Sequence, residues 1–434
     1  MTKSVWSRTA EMQVFNKLQE DIETDVLIIG GGMCGILCAY LLEQEGVNYV
    51  LAEGKTVGTG ITKNTTAKIT CQHGLIYDRL IKSAGKEKAG MYLKANEVAL
   101  SNFLQISKHI DCDLEKKYAY TYSLYNRKKI EDEVKAVNSL GYKADFVEET
   151  ELPFKVAGAV KFKDQVQFNP LKFLSTISKH LNVYDHTFIK EIKNGTAMSD
   201  SGKIKAKKII VATHFPFINK HGGYFMKMYQ ERSYVIALEN APNIHGMYID
   251  EDQKGMSFRN YKELLLIGGG DHRTGKKGGN WEELRQFKEK YYPSSKEMYF
   301  WATQDCMSLD GIPYIGQYSK STPNLYVATG FNKWGMSTSF VAAMILRDLV
   351  CERTSEFADV FSPDRSIFKP QLFVNGFEAV TGLLTPGTKR CPHLGCALKW
   401  NINEHTWDCP CHGSRFEEEG RLIDNPATGD AHVR

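Results

Sequence analysis

Residues 25–55 of the 434-residue chain read DVLIIGGGMCGILCAYLLEQEGVNYVLAEGK. An apolar run from Val26 to Ile29 is followed by a glycine-rich turn, a stretch with the length of a helix, and a second apolar run that ends before Glu53. Short apolar runs bounded by turns are typical of buried strands. This order of segments predicts a β-α-β unit, whose two strands lie parallel in one sheet.

The turn of this unit has the spacing of a dinucleotide-binding loop. Gly30, Gly32 and Gly35 form the pattern G-x-G-x-x-G between the first strand and the helix. These glycines allow a tight turn, a close approach of the backbone to a pyrophosphate, and close packing of helix on strand. Glu53 stands where a carboxylate can accept hydrogen bonds from ribose hydroxyls. A glycine triplet alone can be an ordinary turn, but strand, helix and acidic residue together indicate a dinucleotide site.

The composition is that of a folded globular protein. Hydrophobic residues make up 42% of the chain and charged residues 24%, which argues against disordered, collagen-like and coiled-coil chains. The net charge of +4 is too small for an electrostatic nucleic-acid footprint, so we expect no nucleic-acid partner. The length allows two or three domains.

The distribution of apolar residues and cysteines bears on localisation. No apolar run reaches the roughly 18 residues that span a bilayer, and the N-terminus lacks the pattern of a secretory signal. We therefore expect a cytoplasmic protein without integral membrane association.

Four of the ten cysteines fall between Cys391 and Cys411. In a chain that is not secreted, such a cluster favours a metal site over a disulfide framework.

Several further segments resemble the D-amino-acid oxidase and sarcosine oxidase superfamily of flavoproteins. They are GTGITKNTTAKIT (58–70), VQFNPLKFLSTI (166–177), IIVATH (209–214), DGIPYIG (310–316) and NLYVATGFNKWGMSTSFVAAMILRDLV (324–350). The glycine motif alone does not separate FAD from NAD, but this resemblance implies FAD. It also implies that the turn from Gly330 through Gly335 lies near the flavin ring, and that the chain is an FAD-dependent oxidoreductase.

The resemblance implies an α/β fold in which a Rossmann-like FAD-binding domain is interleaved with an α+β substrate domain. We expect the flavoprotein region at about residues 20–355. Its FAD-binding parts are expected at about 20–80, 160–220 and 305–350, and its substrate-domain parts at about 81–160 and 221–304. A segment with proline, glycine and charge, about 356–388, is interpreted as a linker to a small all-β lobe at 389–434.

The cysteine cluster in this lobe has the spacing of a metal site. Cys391, His393, Cys409 and His412 form the pattern C-x-H, fifteen residues, C-x2-H. Two thiolates and two imidazoles are the ligands of a Rieske 2Fe-2S cluster, and zinc accepts the same donor atoms. The loops CPHLGC and CPCHGSRF resemble Rieske loops beyond these four positions. This resemblance implies a 2Fe-2S cluster held by the four residues.

Other positions in the two loops take their expected roles from the Rieske resemblance. It implies a disulfide between Cys396 and Cys411, as in Rieske proteins of the cytochrome bc type. Ser414 stands where the family places a hydroxyl donor to a cluster sulfur, and Phe416 replaces a tyrosine of high-potential members. Fewer hydrogen bonds to sulfur lower the potential of a cluster.

Two redox sites in one chain suggest three functions. In the first, FAD oxidises a small amine or amino-acid-like substrate and passes electrons through the cluster to an unknown acceptor. The alternatives are an amine oxidase that forms hydrogen peroxide, and an electron-transfer or redox-sensing protein without small-molecule turnover. No catalytic residue is assigned. Polar candidates in the substrate domain, each of which is more often structural at such positions, are Tyr224, Lys227, Tyr229, His272 and Arg273.

Overall fold

A computed structural model describes residues 3–252 and 255–433. Its strands are β1 (Ile22–Ile29), β2 (Tyr49–Ala52), β3 (Lys68–Ile69), β4 (Glu115–Ser123), β5 (Ala144–Val147), β6 (Gly158–Gln167), β7 (Val183–Tyr184), β8 (Glu191–Lys193), β9 (Thr196–Met198), β10 (Lys203–Val211), β11 (Met228–Glu239), β12 (Gly246–Asp250), β13 (Ser257–Tyr261), β14 (Leu264–Arg273), β15 (Lys296–Ser308), β16 (Tyr314–Gln317), β17 (Leu325–Thr329), β18 (Lys399–Asn401), β19 (Thr406–Asp408), β20 (Arg415–Phe416) and β21 (Leu422–Asp424).

The α-helices lie between groups of these strands along the chain. They are α1 (Met33–Gln44), α2 (Tyr77–Ala84), α3 (Lys86–Ser107), α4 (Arg127–Ser139), α5 (Pro170–Ile177), α6 (Tyr224–Lys227), α7 (Trp281–Tyr291), α8 (Gly335–Val350), α9 (Ala358–Phe361) and α10 (Pro370–Leu384). Two short 3-10 helices cover Val5–Arg8 and Ile61–Asn64.

The first sheet contains the β-α-β unit that the sequence predicts. Its strands lie in the order β16-β17-β10-β1-β2-β7, with β9 beside β10 and β8 beside β9. Strand β1 pairs in parallel with β2 and β10, so that Leu27 lies opposite Val50 and Ile209. Helix α1 connects β1 to β2 and packs against α8. The last four residues of β1 are all buried, which explains their continuous apolar run.

The second sheet is mixed and is interleaved with the first. Its strands lie in the order β15-β11-β14-β13-β12-β4-β6-β3, with β5 beside β6. Neighbouring strands are antiparallel except for β12 and β4, which are parallel. The strands come from residues 68–69, 115–167 and 228–308, and between these segments the chain returns to the first sheet. The expected α/β fold with an interleaved second sheet is thus confirmed.

A small antiparallel sheet, β18-β19-β20-β21, forms the C-terminal lobe. We call residues 389–433 the cluster lobe. Its own core is small and centres on Leu398, Phe416, Ala427 and the cysteines of the two loops. The prediction of an all-β lobe is confirmed.

The range 356–388, which the sequence suggested as a linker, contains the helices α9 and α10. Pro370 occupies the first turn of α10, and Pro386 and Gly387 follow its end at Leu384, whereas Gly376 and Gly382 lie within the helix. The apolar stretch between these borders forms the helix, which packs against α6. Within residues 3–252 and 255–433, no helix combines the length and the apolar character needed to cross a bilayer.

Candidate functional site

The loop between β1 and α1 fits only glycine at two of its predicted positions. Gly30 has a φ of 108°, and a Cβ atom there would lie 2.7 Å from the carbonyl oxygen of Ala212. A Cβ atom on Gly35 would overlap the carbonyl oxygen of Gly30. Gly32 caps α1. The N–H of Met33 donates to Thr62 Oγ1 at 3.0 Å, and the next N–H groups of the first turn have no intrahelical partner and can receive a phosphate. The geometry of this loop therefore suits a pyrophosphate.

Glu53 follows β2 and faces the same loop. Its Oε2 accepts a hydrogen bond of 2.6 Å from the N–H of Gly31, and its Oε1 accepts one of 2.8 Å from the N–H of Lys55. Burial raises the pKa of this carboxyl group, and the two backbone hydrogen bonds act in the opposite direction. Both oxygens are thus held at the end of the strand where a ribose would lie.

A cavity of about 970 Å³ opens over this loop. It is lined by Gly30, Gly32 and Glu53, by Thr213 and His214 after β10, and by Gly335 at the start of α8. This volume lies at the upper end of the ~300–1,000 Å³ typical of ligand sites. The dinucleotide loop, the acidic residue and the cavity together fit FAD. Gly330 does not line the cavity but forms the turn before it, with a φ of 69°.

The cavity also contains a lysine among carboxylates. Lys333 Nζ lies 2.5 Å from Asp271 Oδ2 and 3.0 Å from Glu231 Oε2. Asp305 is a third carboxyl group near this lysine, and burial raises its pKa to about 7. Asp271 Oδ1 is buried without a hydrogen-bond partner among the described residues. Lys333 is thus surrounded by three carboxyl groups. Asp271, Asp305 and Lys333 itself line the cavity.

The turn that carries Lys333 is conformationally unusual. Asn332 and Lys333 both have positive φ angles, 51° and 71°. The Asn332 side chain holds the turn, because its Oδ1 accepts a hydrogen bond of 2.9 Å from the N–H of Ser308. Non-glycine residues in this conformation are concentrated at functional sites. The turn that the family resemblance implies near the flavin thus carries Lys333, which lines the cavity.

Lys68 of β3 is another of the basic residues that line the cavity. Burial and the neighbouring Arg259 lower the pKa of Lys68 to about 7. Its Nζ donates a hydrogen bond of 3.2 Å to Thr66 Oγ1. The cavity therefore offers a basic group as well as the acidic residues around Lys333.

Of the five polar candidates in the substrate domain, Tyr229 lines the cavity. The Tyr224 hydroxyl donates to the carbonyl oxygen of Tyr318, and Lys227 Nζ donates to that of Pro363. The His272 ring is hydrogen bonded to the Tyr234 hydroxyl, and Arg273 binds the cluster lobe. These four side chains have structural partners, as is usual at such positions.

The four expected cluster ligands meet between the two loops of the cluster lobe. The thiol groups of Cys391 and Cys409 share a hydrogen bond, and this contact lowers the pKa of Cys391. The rings of His393 and His412 lie 4.9 Å apart, centroid to centroid. Burial lowers the pKa of His393 to about 4 and that of His412 to about 3, so both imidazoles are neutral. Neutral imidazole is the form that binds a metal.

The histidine nitrogens show which atoms are available for iron. Nδ1 of His393 and Nδ1 of His412 are both buried without a hydrogen-bond partner among the described residues. Nε2 of His393 lies 2.8 Å from Asn219 Oδ1, and the His412 ring is hydrogen bonded to the backbone of Phe225. Partners on the second nitrogen fix the orientation of metal-binding histidines. The donor set therefore fits a 2Fe-2S cluster bound through both Nδ1 atoms.

The two loops are also joined covalently. Cys396 and Cys411 form a disulfide, with their Cα atoms 6.6 Å apart. The Ser414 hydroxyl is hydrogen bonded to the Cys391 thiol and accepts a hydrogen bond from the N–H of Ala427. A hydroxyl thus lies beside the sulfur of Cys391, one of the predicted cluster ligands.

The cluster lobe docks on the second sheet through buried polar contacts. Gln230 Nε2 donates to the carbonyl oxygen of His412 at 2.7 Å, and Gln304 Nε2 donates to that of Gly413 at 2.8 Å. Arg273 Nε donates to the carbonyl oxygen of Pro410. These three side chains come from β11, β15 and β14, so the face of one sheet holds the second cluster loop.

A lobe of this size has too little core to be stable alone, so docking against the flavoprotein region was expected, but the residues of the docking surface were not predicted. The polar run Gln230-Glu231-Arg232 lies at the start of a strand that continues as an apolar run. Polar side chains in a buried strand need hydrogen-bond partners, and here the cluster lobe supplies them. That run is the signal from which the surface could have been found.

The comparisons with known proteins agree with this geometry. A family model described as FAD dependent oxidoreductase (DAO) matches residues 25–349, and one described as Rieske [2Fe-2S] domain matches residues 364–433. The chain belongs to the DAO family of FAD-dependent oxidoreductases and carries a Rieske domain behind the flavoprotein region. It is an FAD-dependent oxidoreductase that binds FAD in the first region and a 2Fe-2S cluster in the second.

Individual relatives show both parts. The putative Rieske 2Fe-2S iron-sulfur protein YhfW of Bacillus subtilis is 35% identical over 490 residues, covering 98% of this chain and 96% of the relative. The cytochrome b6-f complex iron-sulfur subunit of Nostoc punctiforme is 49% identical over 37 residues, 8% of this chain and 21% of that subunit. Glycine oxidase from Geobacillus kaustophilus has the same fold over 79% of this chain and 99% of that chain, with a TM-score of 0.67 and 17% identity.

Proposed function

We propose that the protein oxidises a small amine or amino-acid-like substrate and passes the electrons through its own cluster to an external acceptor. The observation that carries this proposal is that the cluster lobe and the dinucleotide-binding loop line one cavity. Ile423, Asn425 and Thr428 of the cluster lobe line the same cavity as Gly30 and Glu53. Bound FAD supplies the two-electron oxidation, and the bound 2Fe-2S cluster supplies one-electron transfer.

One short segment reaches from the cavity to the cluster ligands. Thr213 and His214 line the cavity, and the ring of Phe215 lies 6.5 Å from that of His393 and 6.3 Å from that of His412. Asn425 Nδ2 donates hydrogen bonds of 2.6 Å to the carbonyl oxygens of both Thr213 and Phe215. The lobe therefore holds the segment that separates the two sites, which favours electron transfer inside the chain.

The contacts that hold the docked lobe support electron transfer from the flavin to a cluster that stays in place. Gln230 and Gln304 are hydrogen bonded to each other as well as to the second cluster loop. Both residues are buried, and an unpaired buried amide is costly. In the docked arrangement both buried amides are paired, so neither of them opposes the contact between the lobe and the second sheet.

The charges in the cavity support an amine or amino-acid-like substrate. An ammonium group can pair with the free oxygen of Asp271, and a carboxylate can pair with Lys68 in its protonated form. The fold neighbour from Geobacillus kaustophilus is a glycine oxidase, which agrees with a small substrate of this kind. Asp271, Lys68 and Lys333 all line the cavity, so we place the substrate near Asp271 and Lys333.

The test is anaerobic. Holoprotein is mixed with a panel of amino acids and alkylamines while flavin absorbance and the low-temperature EPR spectrum are recorded. We expect at least one compound to bleach the flavin and to produce a Rieske-type signal. Cys409→Ser removes a cluster ligand, so it should retain flavin bleaching but lose reduction of ferricyanide. The matched control His405→Asn lies outside the ligand spacing and should retain both activities.

Three results would contradict the proposal. Equal ferricyanide reduction by Cys409→Ser and wild type would show that the cluster is not on the electron route. Rapid consumption of oxygen with peroxide formation, unchanged in Cys409→Ser, would favour an oxidase. If light reduces the flavin but no compound of the panel does, the redox-sensing alternative is favoured.

A further inference from the structure

Helix α10 is packed with its polar side inward. Its buried residues are Asn375 and Gly382. Asn375 Oδ1 accepts a hydrogen bond of 3.0 Å from Arg273, and Asn375 Nδ2 donates one of 3.2 Å to the carbonyl oxygen of Met226. Glu378, the one charged residue of the helix, forms an ion pair of 2.5 Å with Lys276. Polar contacts therefore attach this helix to the rest of the protein.

The opposite side of the helix is apolar and open to solvent. We call this side, with the preceding residue Phe368, the apolar face; its main members are Phe368, Phe373, Phe377, Val380, Leu383 and Leu384. The side chains of Phe373, Phe377 and Leu384 are 73%, 70% and 77% exposed. Contiguous exposed apolar surface of this kind marks an interaction site.

The apolar face continues onto the cluster lobe. A Cβ atom on Gly382 would lie 2.5 Å from the sulfur of Cys411, so the helix rests directly on the disulfide. A Cβ atom on Gly395, in the first cluster loop, would lie 3.9 Å from Leu383. Leu394 in that loop is 38% exposed. The histidine rings, by contrast, are hydrogen bonded to Asn219 and Phe225 of the flavoprotein region, whereas α10 lies on the disulfide of the lobe.

The charges around the face are mostly positive. Between residues 366 and 403, the sequence contains four basic residues and Glu378 as its single acidic residue. Lys369 precedes the helix, and Lys389 and Arg390 follow it. Lys276 is paired with Glu378 beside the middle of the helix, so these two residues together add no net charge there. The apolar face is therefore flanked by cations at both ends.

We propose that α10 docks on an anionic membrane surface, with its apolar face inserted at the level of the lipid headgroups. Amphipathic helices that lie in the interface combine large apolar side chains with flanking lysine and arginine. Each basic residue near an anionic leaflet adds to the attraction. This arrangement brings Leu394 of the cluster loop to the lipid surface.

The lack of hydrogen-bonding groups favours lipid over a protein partner. Among the exposed residues of α10, Thr381 is the one with a polar side chain. Protein interfaces carry about one hydrogen bond per 100–200 Å² of buried surface. Acyl chains need no such partner, and the headgroups at the edge of the contact meet the flanking lysines.

The experiment measures co-sedimentation of the holoprotein with vesicles. Vesicles of phosphatidylglycerol and phosphatidylcholine are compared with vesicles of phosphatidylcholine alone. We expect binding to the anionic vesicles that falls by more than about tenfold in the variant Phe373→Ser/Phe377→Ser/Leu384→Ser. The control Tyr125→Ser/Ile402→Ser changes residues that are 92% and 72% exposed elsewhere and should bind like wild type. Flavin absorbance and the cluster EPR signal report that each variant is folded.

A second variant keeps the apolar face and changes its charge. Lys369→Gln/Lys389→Gln should weaken binding to anionic vesicles and make it less dependent on phosphatidylglycerol. Failure of wild type to bind anionic vesicles would overturn the proposal, as would equal binding by the triple serine variant. Sedimentation velocity tests whether a second copy of the chain covers the apolar face instead. A wild-type dimer that the serine variant abolishes, without vesicle binding, would show that a second copy covers the face.

Discussion

Arg232 of β11 and Glu404 of the cluster lobe form a buried ion pair with two contacts, of which Arg232 Nε to Glu404 Oε1 measures 3.0 Å. Arg415 of the lobe approaches the same carboxylate at 2.8 Å. The side chains of Arg232 and Glu404 are 3% and 9% exposed. Paired contacts of arginine with carboxylate fix orientation as well as energy. Glu404 therefore joins an arginine of the flavoprotein region to one of the lobe.

Loss of this carboxylate should weaken the docked lobe. Glu404→Gln leaves Arg232 and Arg415 without their shared counter-charge, and removing one partner of a buried pair costs about 3–5 kcal/mol. We expect a decrease of that size in the free energy of unfolding of the holoprotein in urea. The control is Glu417→Gln, whose pair with Arg421 is at the surface and should change stability by less than about 1 kcal/mol. Equal effects of the two substitutions would contradict this account.

The same carboxylate predicts a dependence on pH. Burial raises the pKa of Glu404, but Arg232 and Arg415 more than offset this and lower it to about 2. An unfolded glutamate has a pKa near about 4.3, so the pair contributes full stability above that pH and loses it as the pH falls toward about 2. In this window, wild type should lose stability more steeply than Glu404→Gln. Parallel curves of unfolding midpoint against pH for the two proteins would contradict the prediction.

Substitution by alanine at two glycines of α10 should change the stability of the holoprotein in opposite directions. A Cβ atom at Gly382 meets the sulfur of Cys411 at 2.5 Å, whereas nothing lies within 4 Å of one at Gly376. Gly382→Ala should destabilise the holoprotein by about 1–3 kcal/mol, because the helix must move away from the disulfide. Gly376→Ala should stabilise it by about 0.5–1 kcal/mol through helix propensity. Urea denaturation of both variants checks these opposite signs.

The dinucleotide loop should not tolerate a methyl group at its third glycine. A Cβ atom at Gly35 overlaps the carbonyl oxygen of Gly30, so Gly35→Ala must separate α1 from the loop. We expect the purified variant to lose most of its FAD, measured as flavin absorbance per protein. Gly90→Ala in α3 is the control, since nothing lies within 4 Å of its Cβ position. Full FAD content in Gly35→Ala would show that the cofactor does not depend on this close packing.

Features with a local cause could be predicted from the sequence. The strand, turn and helix around Gly30 follow from an apolar run and a glycine spacing, and the structure shows them where expected. The two cluster loops follow from ligand spacing within a short segment, and the disulfide follows from the resemblance of those loops. The roles of the individual FAD-binding and cluster-binding residues stay predictions until the variants above are measured.

Features that depend on distant residues required the tertiary structure. The sequence contains Gln230, Arg232 and Lys333 as ordinary polar residues, and their partners lie far away along the chain. The apolar stretch of α10 would normally indicate a buried face, yet the fold buries Asn375 and exposes Phe377. Local patterns specify strands, turns and ligand spacing because their atoms are neighbours in the chain. Which faces become buried depends on what packs against them, and that is decided when the lobe and the two sheets come together.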